Sequence, residues 1–596
     1  MHGSVRDGKV PGGLHQGQET SAKACCSARS GAIADWLSAL QTADGDDLVS
    51  STMYSLLNYV TSSPNHLSAQ GAGYAASSRS GDGRAAKAPD AMTVHTMAGT
   101  VFGGGRTDEA RRQVNGSAIA VVTRLALEFN RPEVTHITVS MLLQRLRGAD
   151  AHTEAIIVTN LVHLALIAPR ADFIDIIKSF SLVSAAPNPE EPRHSSAAVL
   201  AAQTRLGREL KGKTDLRDAF LTETLQLFAD KGTNVQMLAV AHSGGSTASP
   251  LGVDLGRSSS KGMGKRQSEE LVKDLTGQLA GLLLPLDAIL NHRNFNPHHD
   301  PSPALVALFR NMWFICVVLG IPGTLTDWHV AALDRIALKT PALILESASD
   351  YVSSDLEYNS ILRKEFSDVV LSKRRSALSA LIPALAADIR SLSLPQVTLL
   401  QTIFEVENRR SKLGRPSYLL AYFSNDSLNE SELAKPLGAI ATKIIANFRD
   451  EVWRLSLSHR LDPHLSIELQ RLLVGCTHRF KKVRDVSFAY LSQLLGTFPS
   501  LMCSADMVFA LLEVLTIMRN SCEEEYTDEY SPIYEHRSEK IDLRLELSDS
   551  FTVRNEITTQ LYGYARTWLT SAISRAPIEV QTILQVRRPT DGPSWP

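Results

Sequence analysis

Three histidines and an aspartate fall close together in His292-Arg293-Asn294-Phe295-Asn296-Pro297-His298-His299-Asp300. It is the densest ligand-like cluster in the chain, and zinc takes such nitrogen and oxygen donors when they converge. No two of these histidines stand four apart, so no helical face presents a pair, and Pro297 and Pro301 mark a turn between helices. The expectation is a solvated turn with no metal site. Phosphoryl transfer needs a phosphate-cradling loop, a lysine, a base and a magnesium-binding acid. His459-Arg460-Leu461-Asp462 imitates a catalytic-loop HRD, but its aspartate is displaced by one position and no DFG follows. The Gly-rich stretch Gly256 to Lys265 lacks GxxxxGK[ST] spacing, and no GxSxG elbow occurs. Cys476 and His478 are the one adjacent cysteine–histidine pair; they fall in an apolar helical pattern, which predicts core packing rather than an activated thiol.

Basic clusters stand at Lys373-Arg374-Arg375, at Arg409-Arg410-Ser411-Lys412 and from Arg479 to Arg484. Placed against an anionic lipid surface, each such charge contributes about 1 kcal/mol. The runs are short, interrupted and neighboured by acids, so solvated helix faces are the expectation. Aromatic residues are too sparse to stack single-stranded nucleic acid. A formal charge of −2 and a pI near 6.8 give no reason to expect nucleic acid as a partner. Glu523-Glu524-Glu525 with Asp528 and Glu529 reads as an acidic linker. No catalytic, cofactor-binding or metal residue is assigned.

The elements that would position these residues are helices. The chain has 596 residues, 44% of them hydrophobic but only 6% aromatic, with abundant Leu and Ala. Val483, Val486, Tyr490, Leu491, Leu494 and Leu495 form one helical face, which Phe498-Pro499 ends before a second apolar helix from Met507 to Met518. Helix, proline turn, helix recurs at spacings of roughly 35 to 50 residues. The expected fold is all-α, a right-handed α-solenoid of paired HEAT- or armadillo-like helices, with no run alternating as a strand. Sequence self-similarity is too poor to delimit each repeat.

The expected organisation is a disordered N-terminus (1–30), a helical stretch (31–60), a low-complexity loop (61–116), helical repeats (117–242), a second low-complexity loop (243–266), further helical repeats (267–585) and an irregular tail (586–596). In the first repeat block, helices are expected to end at Asn130-Arg131-Pro132, Arg147-Gly148 and Pro169, with a fourth from Phe173 to Leu182, an Ala-rich helix to about Leu210 and then LRDAFLTETLQLFADKG (216–232). Six cysteines without a CxxC predict reduced thiols rather than disulfides or a zinc ribbon. The N-terminus has no apolar core and Gly3 follows His2, so neither a secretory signal nor a myristoylation pattern is present. The longest apolar run, Met312 to Ile321, is about half of the roughly 20 residues of a spanning helix. Any membrane contact is therefore expected to be peripheral.

Four blocks carry a family resemblance. RFKKVRDVSFAYLSQLLGTFPSL (479–501), followed by apolar helices and then SPIYEHRSEKIDLRLELSDSF (531–551), resembles the N-terminal helical region of type III alpha phosphatidylinositol 4-kinases, the fungal members above all. LFRNMWFICVVLGI (308–321) resembles an RNxW-plus-apolar block of the same family, and APIEVQTILQ (576–585) fits as well. The resemblance covers about 303–585 and is weak before Ser268. It implies a region of a kinase that makes phosphatidylinositol 4-phosphate at the plasma membrane. There the helical part holds a tetratricopeptide-repeat scaffold protein, which connects to a lipidated membrane anchor, and the full-length enzyme is a possible homodimer. The family's ATP and magnesium belong to its kinase domain, whose GDRHxxN-like and DFG strings do not occur in this sequence, so no cofactor is expected here and the chain alone is expected to be inactive. Arg310, Asn311, Trp313, Arg484 and Asp485 lie in the matching blocks, with capping and packing as their expected role. VRRPTDGPSWP (586–596) breaks the helix that the family would be expected to continue and is expected to be an artificial or mispredicted stop. The alternative is a standalone helical-repeat adaptor in trafficking or transport, which the 531–551 block disfavours.

Overall fold

The computed structural model describes helical positions at 51, 54, 55 and 58 and, from 104 to 586, everything except 148, 150, 186–194, 244–264, 299–300, 324, 346–351, 366–367, 458–463, 524–534 and 539. The expected disordered N-terminus, the irregular tail beyond 586, most of the 31–60 and 61–116 segments and nearly all of the 243–266 loop lie outside the described residues. The described chain is all-α, a helical-repeat architecture with one small hairpin. It forms two units, one of residues 1–227 with 284–292 and the other of 228–283 with 293–596.

The first unit is built from α1 (Gly104–Phe129), α2 (Pro132–Leu146), α3 (Ala151–Ala165), α4 (Arg170–Ala185) and α5 (Ser195–Glu209), with parts of α6 (Thr214–Ser243) and α8 (Leu283–Leu290). α1 packs on α3 and α3 on α5, while α2 packs on α4, so successive helix pairs stack in two layers. This is how repeats that cannot bury an apolar face alone bury it against the next. Ile157, Leu161 and Leu164 of α3 and Phe173, Ile176 and Phe180 of α4 are fully buried at three- and four-residue steps. The α1–α2 turn uses Asn130 at φ +46, a left-handed conformation that asparagine tolerates, and Pro132 then opens α2, where its fixed φ suits the first turn. α1 itself begins at Gly104, inside the span expected to be loop.

The second unit contains α7 (Lys265–Gly281), α9 (Pro303–Val318), α10 (Asp327–Lys339), α11 (Val352–Glu357), α12 (Asp368–Leu381), α13 (Ala386–Ser391), α14 (Leu394–Lys412), α15 (Asp426–Glu430), α16 (Ala434–Leu457), α17 (Leu465–Gly475), α18 (Lys481–Thr497), α19 (Ala505–Glu523), α20 (Phe551–Arg575) and α21 (Pro577–Val586). α14 is its hub, touching α9, α10, α12 and α16; beyond it α17 meets α18 and α19, and α19 meets α20. Prolines open elements here rather than merely break them. Pro303 and Pro395 stand in the first turns of α9 and α14, and Pro416 and Pro499 start the 3-10 helices Pro416–Ser424 and Pro499–Cys503. Ser393 and Gln396 form a reciprocal capping box at the start of α14.

Helix α6 runs unbroken through Gly232 to Ser243; Gly232 is a close-packing site, where a Cβ would run into the Ile315 side chain of α9. One expectation is corrected, since a strand pair exists: β1 (Glu535–Arg537) pairs antiparallel with β2 (Arg544–Glu546), with His536 opposite Leu545. Its alternation was in the sequence, since Leu543, Leu545 and Leu547 are buried between Arg544 and Glu546.

Candidate functional site

The most developed polar constellation lies in the second unit and is buried. It is assembled by α14, the end of α10, Trp313 of α9 and the 3-10 helix after α14. Arg410 is 1% exposed, and its guanidinium donates to the carbonyls of Ala337 (2.8 Å) and Thr340 and to the Glu407 carboxylate one turn back. Glu407 is equally buried and takes a hydrogen bond from the Tyr422 hydroxyl; burial pushes its carboxyl above the ordinary range while Arg410 pulls the other way. The Leu343 amide donates to the Tyr422 oxygen (3.3 Å), and burial drives the phenol far above its usual pKa. The Trp313 indole donates to the Thr340 hydroxyl (3.0 Å), which in turn donates to the Ile336 carbonyl (2.8 Å). Beside it, Arg409 reaches Asp334 (2.5 Å) and Glu405 (2.8 Å).

The network continues towards α17. Tyr418 lies under the Arg410 guanidinium at 5.0 Å and that of Arg471 at 5.7 Å, with the His298 ring edge-on at 5.5 Å. Buried Glu468 accepts from the Ser417 hydroxyl (2.6 Å) and amide (3.3 Å) and from Arg471 (2.7 Å). Nearly every charge here is matched to a charge or a backbone carbonyl, as buried ions require. The arrangement fixes helices against one another; it exposes no activated nucleophile and no general base.

Arg409 and Arg410 are therefore not a solvated face, the role expected for their cluster. They lie on the buried stripe of α14 that runs through Ile403, Val406, Glu407 and Arg410, a three- and four-residue spacing legible in the sequence. The other basic runs split. Arg374 donates to the Val318 carbonyl (3.2 Å) and Arg375 to that of Leu392 (3.1 Å), while Lys373 is exposed. At the start of α18, Arg484 donates to the carbonyls of His478 (2.7 Å) and Arg479 (2.8 Å), and Lys481 and Lys482 face solvent. Arg554 repeats the device at the start of α20, donating to the carbonyls of Ser548 (2.9 Å) and Asp549 (2.7 Å). Both arginines reach back five and six residues, and both sit in a matching string, Val483-Arg484-Asp485 and Val553-Arg554-Asn555. Sequence reading missed this repeat signature because the surrounding residues diverge.

The remaining candidates have structural partners. Arg310 approaches Asp355 (3.4 Å), Asn311 accepts from the Asn359 amide (2.8 Å), and Trp313 is fully buried in the network. The thiols of Cys316 and Cys476 are pushed up by complete burial, which holds them protonated. His478 turns away from Cys476: its Nδ1 accepts from the Phe480 amide (3.2 Å) and its Nε2 approaches Glu546 of β2 (3.5 Å), whose carboxyl is held below the usual range by that histidine. Within the first unit, His292 contacts the Gly207 carbonyl (2.7 Å), and His136 of α2 contacts buried Asp172 of α4 (2.6 Å). His299, Asp300 and the HRLD string lie outside the described residues, as does the Gly-rich stretch apart from Lys265. Among the described residues, no group of three or more His, Cys, Asp or Glu is placed to hold a metal ion, and no helix is long and apolar enough to cross a membrane.

Fold and network together describe a helical-repeat segment in which most of the described motif residues are spent on packing. No family model matches the chain. It is similar to phosphatidylinositol 4-kinase stt4 of Schizosaccharomyces pombe, 30% identical over 281 residues, 47% of this chain and 15% of that protein. It is also similar to phosphatidylinositol 4-kinase STT4 of Saccharomyces cerevisiae, 21% identical over 499 residues, 83% of this chain and 25% of that protein. The chain is thus homologous to the fungal Stt4 phosphatidylinositol 4-kinases and spans a quarter or less of their length.

Proposed function

We propose that this chain is an N-terminal scaffolding and regulatory region of a phosphatidylinositol 4-kinase, one that serves complex assembly while the phosphorylation of phosphatidylinositol at the plasma membrane is carried out by catalytic elements this sequence does not contain. The observation that carries the reading is the homology to two fungal phosphatidylinositol 4-kinases along a chain built of stacked helix pairs. Stacked pairs offer long surfaces to protein partners. The reading assigns those surfaces to a tetratricopeptide-repeat scaffold protein bound in turn to a lipidated membrane anchor, with peripheral recruitment from the cytoplasm.

The test is affinity capture of the tagged chain from its host cells, paired with a lipid kinase assay on the purified chain. Recovery of a tetratricopeptide-repeat protein, with no phosphate transfer by the chain alone, is the expected result. Phosphatidylinositol phosphorylation by the pure chain overturns it. Capture of transport factors with no kinase-associated partner moves the assignment to a trafficking adaptor.

A further inference from the structure

We draw no further inference here: the strongest candidate, the apolar cleft of the second unit lined by Gly414 after α14, by Phe448, Val452 and Leu455 of α16 and by Leu465 of α17, carries nothing because nothing in the structure shows what covers it.

Discussion

Replacing Arg410 by Met tests the buried network most directly. Methionine keeps much of the length and apolar stem of arginine but removes the guanidinium from the Ala337 and Thr340 carbonyls and from Glu407. Removing one partner of a buried ion pair costs about 3–5 kcal/mol, because the other charge stays behind without compensation. Burial already raises the Glu407 carboxyl, so part of that cost is relieved by protonation, and about 3 kcal/mol is the expected loss. Glu407→Gln, which imitates the protonated acid and keeps a hydrogen-bonding oxygen, is expected to cost about 1–2 kcal/mol. The double variant should then lose less than the sum, with a coupling of about 1–2 kcal/mol, because the two groups touch. A chain of two units does not license a single unfolding free energy. The assay is therefore native-state hydrogen exchange read on peptides of α10 and α14, where local opening reports the network itself. The reasoning is refuted if Arg410→Met leaves the opening free energy of both helices within about 0.5 kcal/mol of the parent, the range of an ordinary surface substitution.

Three further outcomes are expected. Gly232→Ala, which in an ordinary helix interior stabilises by about 1 kcal/mol, should here destabilise by about 1–3 kcal/mol through collision with the γ carbons of Ile315, and combined with Ile315→Ala, which removes both, it should cost less than the sum of the two; slower hydrogen exchange on peptides of α6 and α9 in Gly232→Ala refutes the close approach. Arg484→Met and Arg554→Met should each loosen the start of their own helix by about 1 kcal/mol, and the two losses should add, since the arginines share no partner; exchange rates confined to 478–484 and 548–554 check this. The Glu546 carboxyl lies below its ordinary value of 4.5 because the folded state favours its charge, so its contribution is complete above that value and is lost as pH falls through the depressed one. His478→Ala removes the main cause, so the gap between parent and variant in hydrogen exchange at the β1–β2 pair should be complete above pH 4.5 and close on acidification; a gap that widens towards pH 3 refutes the assignment.

Much of this architecture was legible in the chain. Asn130-Arg131-Pro132 and Phe498-Pro499 end helices where backbone chemistry says they must, and most of the face around Leu491 falls on the buried side. That Gly232 admits a neighbouring Ile could not be read from the sequence, because such a glycine looks like any other until the neighbour is known. The LRLEL alternation was short enough to vanish among helical patterns, and it became a strand because an antiparallel partner lies only a few residues upstream. Arg410 was the instructive failure: charge type suggested solvent, while its position on the apolar stripe of α14 pointed inward, and position prevailed because backbone carbonyls at the end of α10 were there to receive it. Within the histidine cluster, no local pattern could have told that His292 would meet Gly207, far back in the chain.

The paired arginine locks at Arg484 and Arg554 bear on how such a chain emerges during synthesis. Each closes a ring of fewer than ten residues, so it can set as soon as the first turns of its helix leave the ribosome, without waiting for any distant part of the polypeptide. A protein whose relatives are several times longer gains from such locally completed joints. Each newly made joint can hold the orientation of its helix until the next one arrives to cover it, and a fault in one need not propagate to those already set.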